Sequence, residues 1–416
     1  MPYRHRVLIL LCSLTTLTYL DRICISIVGV RLKADLGLNN EQFGWILASF
    51  SLAYALFEIP SGMLGDRIGP RKVFIRIVLF WSLCTALTGF AGSLLSLLVI
   101  RFLFGVGESG TYPNILIVIS RWYPVQETGR SLTWVGIGSQ IGSAIAPLLI
   151  VPIAAAYGWR MPFFVNAVIG VVWVVICYKW FRDFPSQLKK ISTNELQLIE
   201  TNRRFSATQH SVSWKVIFKN RTLWGLMLMY FCCQCSNYFF IAWMPLYLQE
   251  GRHFTENDMK LITTILFIVG IGGFVLGGYI GDLLPKRRGL KFGRRFIGIT
   301  GLSCCGTLIA LAAYIEHPVI SAICLVGANA CFAFSVMVSY AVCADIGRNN
   351  AGTVTGAMNF FGQIGGLAVS LFFGKIADAM HNFNYPLYLV AAVSLAGGLL
   401  WLTIDPTRQL KIDRPI

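Results

Sequence analysis

SLLSLLVIRFLFGVGESGTYPNILIVIS, residues 93–120, is apolar enough along its length to cross a bilayer, yet it carries Arg101 and Glu108 within it. A helix needs about 20 apolar residues to span the hydrocarbon core. An ionisable side chain near the centre of that core costs roughly 2.5–3.5 kcal/mol on insertion scales. A second charged pair, Asp21-Arg22, interrupts the apolar run Val7 to Val30. Charges at such depth must pair with one another or face a water-filled cavity, and the simplest cavity of that kind is a transport pathway.

The rest of the chain fits a membrane setting. Of its 416 residues 56% are apolar and only 13% are charged, with a mean hydropathy of +0.65, well above an ordinary soluble domain. A net charge of +16 invites a nucleic-acid reading. The basic residues, however, lie in short runs between apolar spans rather than on one face interleaved with exposed aromatics, so no nucleic-acid partner is expected and the charges read as topology signals. Cys12, Cys24, Cys84, Cys177, Cys304, Cys305, Cys324, Cys331 and Cys343 fall inside apolar spans without ligand spacing and read as small packing residues. Cys232-Cys233-Gln234-Cys235 has no nearby His, and its three thiols cannot share one helix face, so no metal site is expected.

Spans of about 20 residues place helices near 7–30, 42–64, 73–92, 94–119, 131–156, 160–181, 222–248, 259–284, 295–315, 319–344, 352–378 and 384–404, twelve in all. The basic start and first apolar run imitate a signal peptide, but no small-residue cleavage site follows, and the run is kept as the first helix. The expected fold is an all-α membrane protein of two six-helix bundles, 1–182 and 221–416, joined by a connector over 183–220 in which Asn194 to Arg204 reads as an amphipathic helix. Lys and Arg concentrate on one side: Arg4 and Arg6, the loop with Arg67, Arg71, Lys72 and Arg76, the connector, Lys286 to Arg295, and the tail with Arg408, Lys411 and Arg414. By the positive-inside rule both termini are cytoplasmic.

Two echoes support duplication. Gly62-Met-Leu-Gly65-Asp66-Arg67 after the second helix returns as Gly278-Tyr-Ile-Gly281-Asp282 after the eighth, and Gly129 with Gln140-Ile141-Gly142 returns as Gly352 with Gln363-Ile364-Gly365. Transporters built from such repeats hold substrate near the midplane and expose it to each side in turn.

Gly62-Met-Leu-Gly-Asp66-Arg67-Ile-Gly69-Pro-Arg71-Lys72 resembles the loop signature of the major facilitator superfamily, and the resemblance covers the whole chain. More narrowly, Tyr19-Leu-Asp21-Arg22, Arg101 followed by Glu108 and Pro113, and Ser120-Arg-Trp-Tyr-Pro124 are similar to the anion:cation symporter family, which includes bacterial sugar-acid permeases and, more distantly, animal lysosomal and vesicular anion transporters.

Elementary chemistry assigns roles to the same charges. At 1.5 Å per residue Asp21 and Arg22 lie roughly two-thirds of the way out along the first helix, Arg101 about 10 Å in from the outer end of the fourth, and Glu108 about 10 Å deeper on the same face. Asp21 and Arg22 point about 100° apart, so each needs a partner from another helix or from a ligand. A guanidinium binds a carboxylate in a bidentate fork, whereas a carboxylate in a partly dry site can take a proton near neutral pH. Arg22 and Arg101 are therefore expected to attract the substrate carboxylate and Asp21 and Glu108 to carry protons, as the resemblance also implies; the alternative is a structural Arg101–Glu108 bridge. By similarity to the sugar-acid permeases, Tyr19, Tyr54, Gln140 and Asn359 line the substrate cavity.

The deep polar groups of the seventh and ninth to twelfth helices are uncharged, among them Gln234, Asn237, Asn329, Ser335, Asn359 and Gln363. The second half would then hydrogen-bond neutral groups of a ligand bearing both a carboxylate and hydroxyls. Glu58 stands where Gln is common in close sugar-acid permeases, and Gln363 where Asn is common, so the family's substrate does not carry over; Glu58 is expected either near an inner gate or paired with an Arg. In the loop signature, Gly62 and Gly65 allow close helix approach. Asp66 is expected to cap a neighbouring helix or pair with an Arg such as Arg130, and Arg67, Gly69, Arg71 and Lys72 to form a loop anchored at the anionic leaflet.

No Gly-rich Lys-Ser/Thr phosphate loop occurs, which removes ATP as the energy source. His5, His210, His253, His317 and His381 lie at ends or in loops, unsuited to a proton relay. No nucleophile-base constellation supports an enzyme, and no cofactor is implied. The expectation is a multi-pass inner-membrane symporter, monomeric in the bilayer, coupling an organic anion such as a hexonate, hexuronate or aldarate to protons. A proton-independent exchanger or facilitator, and a membrane nutrient sensor, are the alternatives.

Overall fold

The computed structural model describes residues 2–124, 127–188, 191–201, 220–347 and 351–408. Asn202 to Arg204 of the expected amphipathic helix, His210, Lys411 and Arg414 lie outside the described residues. Among the described residues twelve helices are long and apolar enough to cross a membrane: α1 (Tyr3–Ile27), α2 (Asn40–Ile68), α3 (Pro70–Gly89), α4 (Leu94–Trp122), α5 (Thr128–Tyr157), α6 (Met161–Trp180), α7 (Arg221–Gly251), α8 (Glu256–Arg288), α9 (Leu290–Tyr314), α10 (Pro318–Gly347), α11 (Ala351–Met380) and α12 (Asn384–Thr403).

Each expected span coincides with one of these, and the ends move by a few residues because polar side chains and glycines, rather than apolar content, decide where a helix starts and stops. Asn220 Oδ1 accepts from Thr222 N at 2.9 Å and opens α7; Thr255 Oγ1 accepts from Asp258 N at 3.2 Å and opens α8. Gly69 at φ 88° and Gly289 at φ 87° make the sharp corners into α3 and α9. The apolar run read as one helix to Val30 is divided: α1 closes at Ile27, and a separate short helix, Gly29–Leu36, follows.

The chain forms two compact units. The first holds the residues up to Leu38 and those from Trp45 to the end of the connector helix Thr193–Thr201; the second holds Asn39–Gly44 and the described residues from Asn220 on. The connector helix joins the first unit because Glu195 accepts the backbone N–H groups of Tyr3 and Arg4 at 3.1 and 2.9 Å, which caps α1. The first turn of α2 joins the second unit because Asp378 of α11 accepts from Asn40 Nδ2 at 2.6 Å and from Glu41 N at 2.8 Å.

Within the first unit α1 packs on α5 and α6, and α3 on α4 and α6; within the second α7 packs on α11 and α12, α9 on α10 and α12, and α8 on α10. The pairs α1/α5 and α3/α6 thus recur as α7/α11 and α9/α12, as duplication requires. The Gln-Ile-Gly echo has a packing cause. A Cβ on Gly142 would lie 2.9 Å from the carbonyl carbon of Thr16 in α1, and one on Gly365 would lie 3.1 Å from that of Phe231 in α7, so both positions bring the two backbones into contact.

Candidate functional site

The charged cluster of the first unit is built on a broken helix. Pro113 has no N–H to return to the carbonyl of Ser109, and α4 is interrupted at Ser109-Gly110. Glu108 is the last residue before the break; its carbonyl accepts the Thr111 hydroxyl at 2.8 Å, and the residue is fully buried. Two glycines carry this segment inward: a Cβ on Gly105 would stand 2.9 Å from Ala53 Cβ of α2, and one on Gly107 would stand 2.9 Å from Phe80 Cδ1 of α3. Gly105 and Gly107 thus let α4 pack closely on α2 and α3.

Glu108 pairs with α1. Arg22 Nε donates to Glu108 Oε1, and both side chains are buried. The Arg22 guanidinium lies over the rings of Tyr19, Phe50 and Tyr54, with centroids at 5.1, 5.1 and 4.8 Å, an aromatic cage that favours a cation. The alternative Arg101–Glu108 bridge is not formed: seven residues of helix rise about 10 Å and separate the two side chains along α4.

Arg101 is 3% exposed and lies 4.4 Å from the ring centroid of Phe104 and 5.4 Å from that of Phe50. It forms no ion pair among the described residues, and its buried Nε has no hydrogen-bond partner. Phe50 is thus shared by both guanidinium groups. Sequence reasoning missed it, although Phe50 and Tyr54, four residues apart on one helix face, were the available signal. Asp21 is 2% exposed, and neither carboxylate oxygen finds a hydrogen bond among the described residues.

The other expected residues are dispersed. Gln140 is buried on α5 of the first unit and among the described residues does not hydrogen-bond to the charged cluster; Asn359 is half-buried on α11 of the second unit. Glu58 is half-buried on α2 without an ion pair among the described residues. In the loop signature, Gly62 faces Pro113 of α4, where a Cβ would lie 3.1 Å from the proline Cβ. Asp66 and Arg67 are exposed, and Asp66 makes neither the expected cap nor a bond to Arg130 among the described residues. The cap at this corner is Asp183, which accepts Arg71 N at 2.8 Å. Arg71 turns its side chain back, donating through Nη2 to Tyr178 O at 2.5 Å, and Lys72 remains exposed.

In the second unit several of the polar groups are paired. Tyr238 OH donates to Gln363 Oε1 at 2.8 Å and Asn329 Nδ2 to Leu266 O at 3.0 Å. The buried cation there is Arg294 at the start of α9, read from sequence as a loop charge; it donates to Asp345 Oδ2 at 2.9 Å and to Gly281 O at 2.8 Å. A cleft of about 700 Å³ lined by Arg288, Lys291, Phe292, Arg295 and Phe296 contains none of the expected site residues.

A buried acid–base cluster on a twelve-helix frame is the arrangement of a solute carrier, and the sequence profile of the Major Facilitator Superfamily matches residues 11–370. The chain belongs to the major facilitator superfamily. This superfamily member is 31% identical to a probable sulfoacetate transporter of Cupriavidus necator, over 99% of its own length and 96% of that protein's. It is 29% identical to a hexuronate transporter of Bacillus subtilis, with 92% and 89% covered, and 27% identical to a D-galactonate transporter of Escherichia coli, with 96% and 95% covered. A bacterial homologue of the human lysosomal transporter Spinster, solved inward-facing and unoccupied, shares its fold at a TM-score of 0.78 and 18% identity, over 97% of each chain. The sugar-acid permeases to which the motifs pointed are thus among its relatives. The protein is a multi-pass membrane transporter and not an enzyme.

Proposed function

We propose that this chain is a proton-coupled symporter that brings an organic anion across the inner membrane by alternating access, with both termini cytoplasmic and one chain forming the pathway. The observation that carries the reading is Arg101, a buried guanidinium packed on rings with no carboxylate bridged to it. A buried cation to which no carboxylate is bridged is incompletely compensated, so the site favours an anion arriving from outside. Arg22 would be the second anchor. While Glu108 is ionised it holds Arg22; once Glu108 takes a proton the pair weakens and the guanidinium turns to the substrate carboxylate. Substrate and proton then bind together because each removes the obstacle to the other. Asp21 would supply a second protonation site, and Tyr19, Tyr54, Gln140 and Asn359 would contact the rest of the ligand.

The substrates named for the relatives, sulfoacetate, hexuronate and galactonate, are small, oxygen-rich organic anions that each carry a carboxylate. A sugar acid is the substrate class proposed here. A second reading is supported by the Arg22–Glu108 pair itself: if that bridge is permanent, the protein is a proton-independent anion exchanger or facilitator.

The deciding experiment is uptake into proteoliposomes of hexuronates, hexonates, aldarates and sulfoacetate, with and without an inward proton gradient, for wild type and Glu108→Gln. Gradient-driven accumulation by wild type, absent in the variant while exchange of internal for external substrate persists, is the expected result. Equilibration that ignores the gradient in both proteins would transfer the assignment to the facilitator reading.

A further inference from the structure

Asp21 has a buried polar setting that the anion-binding reading leaves unused. Both its oxygens are enclosed and neither makes a hydrogen bond of ordinary length, whereas nearly all buried polar groups in native proteins make at least one. The polar groups that face it come from two other helices, the indole of Trp81 on α3 and the amide of Asn166 on α6. Trp81 is fully buried and Asn166 is 1% exposed. Trp81 Nε1 and both polar atoms of Asn166 also lack a hydrogen-bond partner.

Three helices thus bring a buried carboxylate, an indole N–H and an amide within interaction range of one another, short of hydrogen bonds of ordinary length. The two outer helices are held close at this level, since a Cβ on Gly170 of α6 would lie 3.2 Å from Ser82 Cβ of α3. Buried polar groups short of full hydrogen bonding are unfavourable, an arrangement that makes physical sense where the hydrogen-bonding needs of one member change. Asp21 is such a member. An indole N–H only donates, a carboxylate only accepts, and an amide does either.

We propose that Trp81 and Asn166 are positioning residues for proton transfer at Asp21: both donate to its ionised carboxylate, and the Asn166 carbonyl accepts its O–H once it is protonated. The inference rests on the reading of Asp21 as a protonation site. When a proton arrives, an O–H bond forms on Asp21, the hydrogen bond from Asn166 Nδ2 breaks, and the amide rotates to accept; release reverses these changes and alters no bond of Trp81. The other ionisable groups around Asp21 are Glu108 and Arg101 of α4, with Arg22 and Cys24 near it on α1. Between Met161 and Cys177 α6 has no Asp, Glu, Lys, Arg or His, and α5 has none between Ser131 and Tyr157. The amide and the indole are therefore the groups that distinguish the two states of Asp21 from that side.

The test uses the full chain in liposomes with Trp81→Phe, which keeps the ring and removes the donor, and Asn166→Leu, which keeps the volume and removes the amide. The readouts are the infrared carbonyl band of protonated Asp21, assigned by its loss in Asp21→Asn, and the pH profile of uptake. Each variant is expected to retain the band to more alkaline pH by about one unit, a tenfold change in proton affinity, because the bond lost from the ionised carboxylate is stronger than any lost from the neutral acid. The alkaline limb of uptake should move with it, and Asn166→Gln should restore the wild-type profile. Midpoints that stay in place while uptake falls equally at every pH would reduce both residues to packing and overturn the proposal, as would the lack of any titrating Asp21 band in wild type. A band that moves as expected, in a protein whose uptake ignores the proton gradient, would uphold the role of the pair and remove the symport reading instead.

Discussion

Arg101 has aromatic rings where a buried arginine would ordinarily have a carboxylate. Lysine at this position would keep the charge but not the planar fork that meets a carboxylate through two parallel bonds. Arg101→Lys should therefore lower kcat/KM for uptake by about tenfold to a hundredfold, the equivalent of one charge-assisted hydrogen bond of about 1.5–3 kcal/mol. Initial rates at subsaturating substrate would show it, and undiminished rates would mean that Arg101 serves packing alone. The four charges were legible in the sequence because each stands out against a long apolar run. Their pairing was not: Arg22 meets Glu108 only through the crossing of α1 and α4, which no spacing along one helix can reveal. Phe50, Trp81 and Asn166 were hidden for the opposite reason, since ring and amide side chains in a membrane helix read as ordinary packing.

At the scale of helices, the repeated Gln-Ile-Gly sequence separates contact from coincidence. Gly142 presses on the backbone of Thr16, whereas among the described residues nothing lies within 4 Å of the Cβ position at Gly352, the counterpart of Gly129 in the second half. Gly142→Ala should lower the melting temperature in detergent, while Gly352→Ala should leave it unchanged or raise it, because a helical alanine is favoured over glycine by roughly 0.5–1 kcal/mol where space allows. Equal effects at the two sites would contradict the packing argument. The end of α12 supplies a second test. The Thr407 hydroxyl, donating at 2.6 Å, and Lys291 at 3.0 Å hold the Asp405 carboxyl down at about 2. A carboxyl held low in the folded state contributes its stability above the ordinary value near 4, and that contribution disappears as the pH falls towards 2. Asp405→Asn should therefore melt below wild type at neutral pH and converge with it in strong acid; a constant difference across that range would assign the effect to shape. Helix existence was legible because about 20 apolar residues admit little else. The missed end between Ile27 and Gly29, and the unforeseen cap at Asp183, depend on single hydrogen bonds that hydropathy does not register.

For the molecule as a whole, coupling is the property at issue. If protons drive the substrate, collapsing the gradient with a protonophore should reduce accumulation to equilibration without slowing exchange of labelled for unlabelled substrate; accumulation that survives the protonophore would exclude the coupling. Two repeated helix sets were legible from the echoes, but two details of unit membership were not. Asn39–Gly44 goes with the second unit and the connector helix with the first, each through a carboxylate far away in sequence. The Glu195 cap has a consequence for biosynthesis. The backbone groups of Tyr3 and Arg4 wait for a residue 192 and 191 positions later in the chain. At about 5–20 residues per second of synthesis that interval is roughly 10–40 s. The amino end of α1 therefore stays uncapped by its native partner until six helices and part of the connector have left the ribosome. A chain stopped after α6 would insert its spans without closing its first turn.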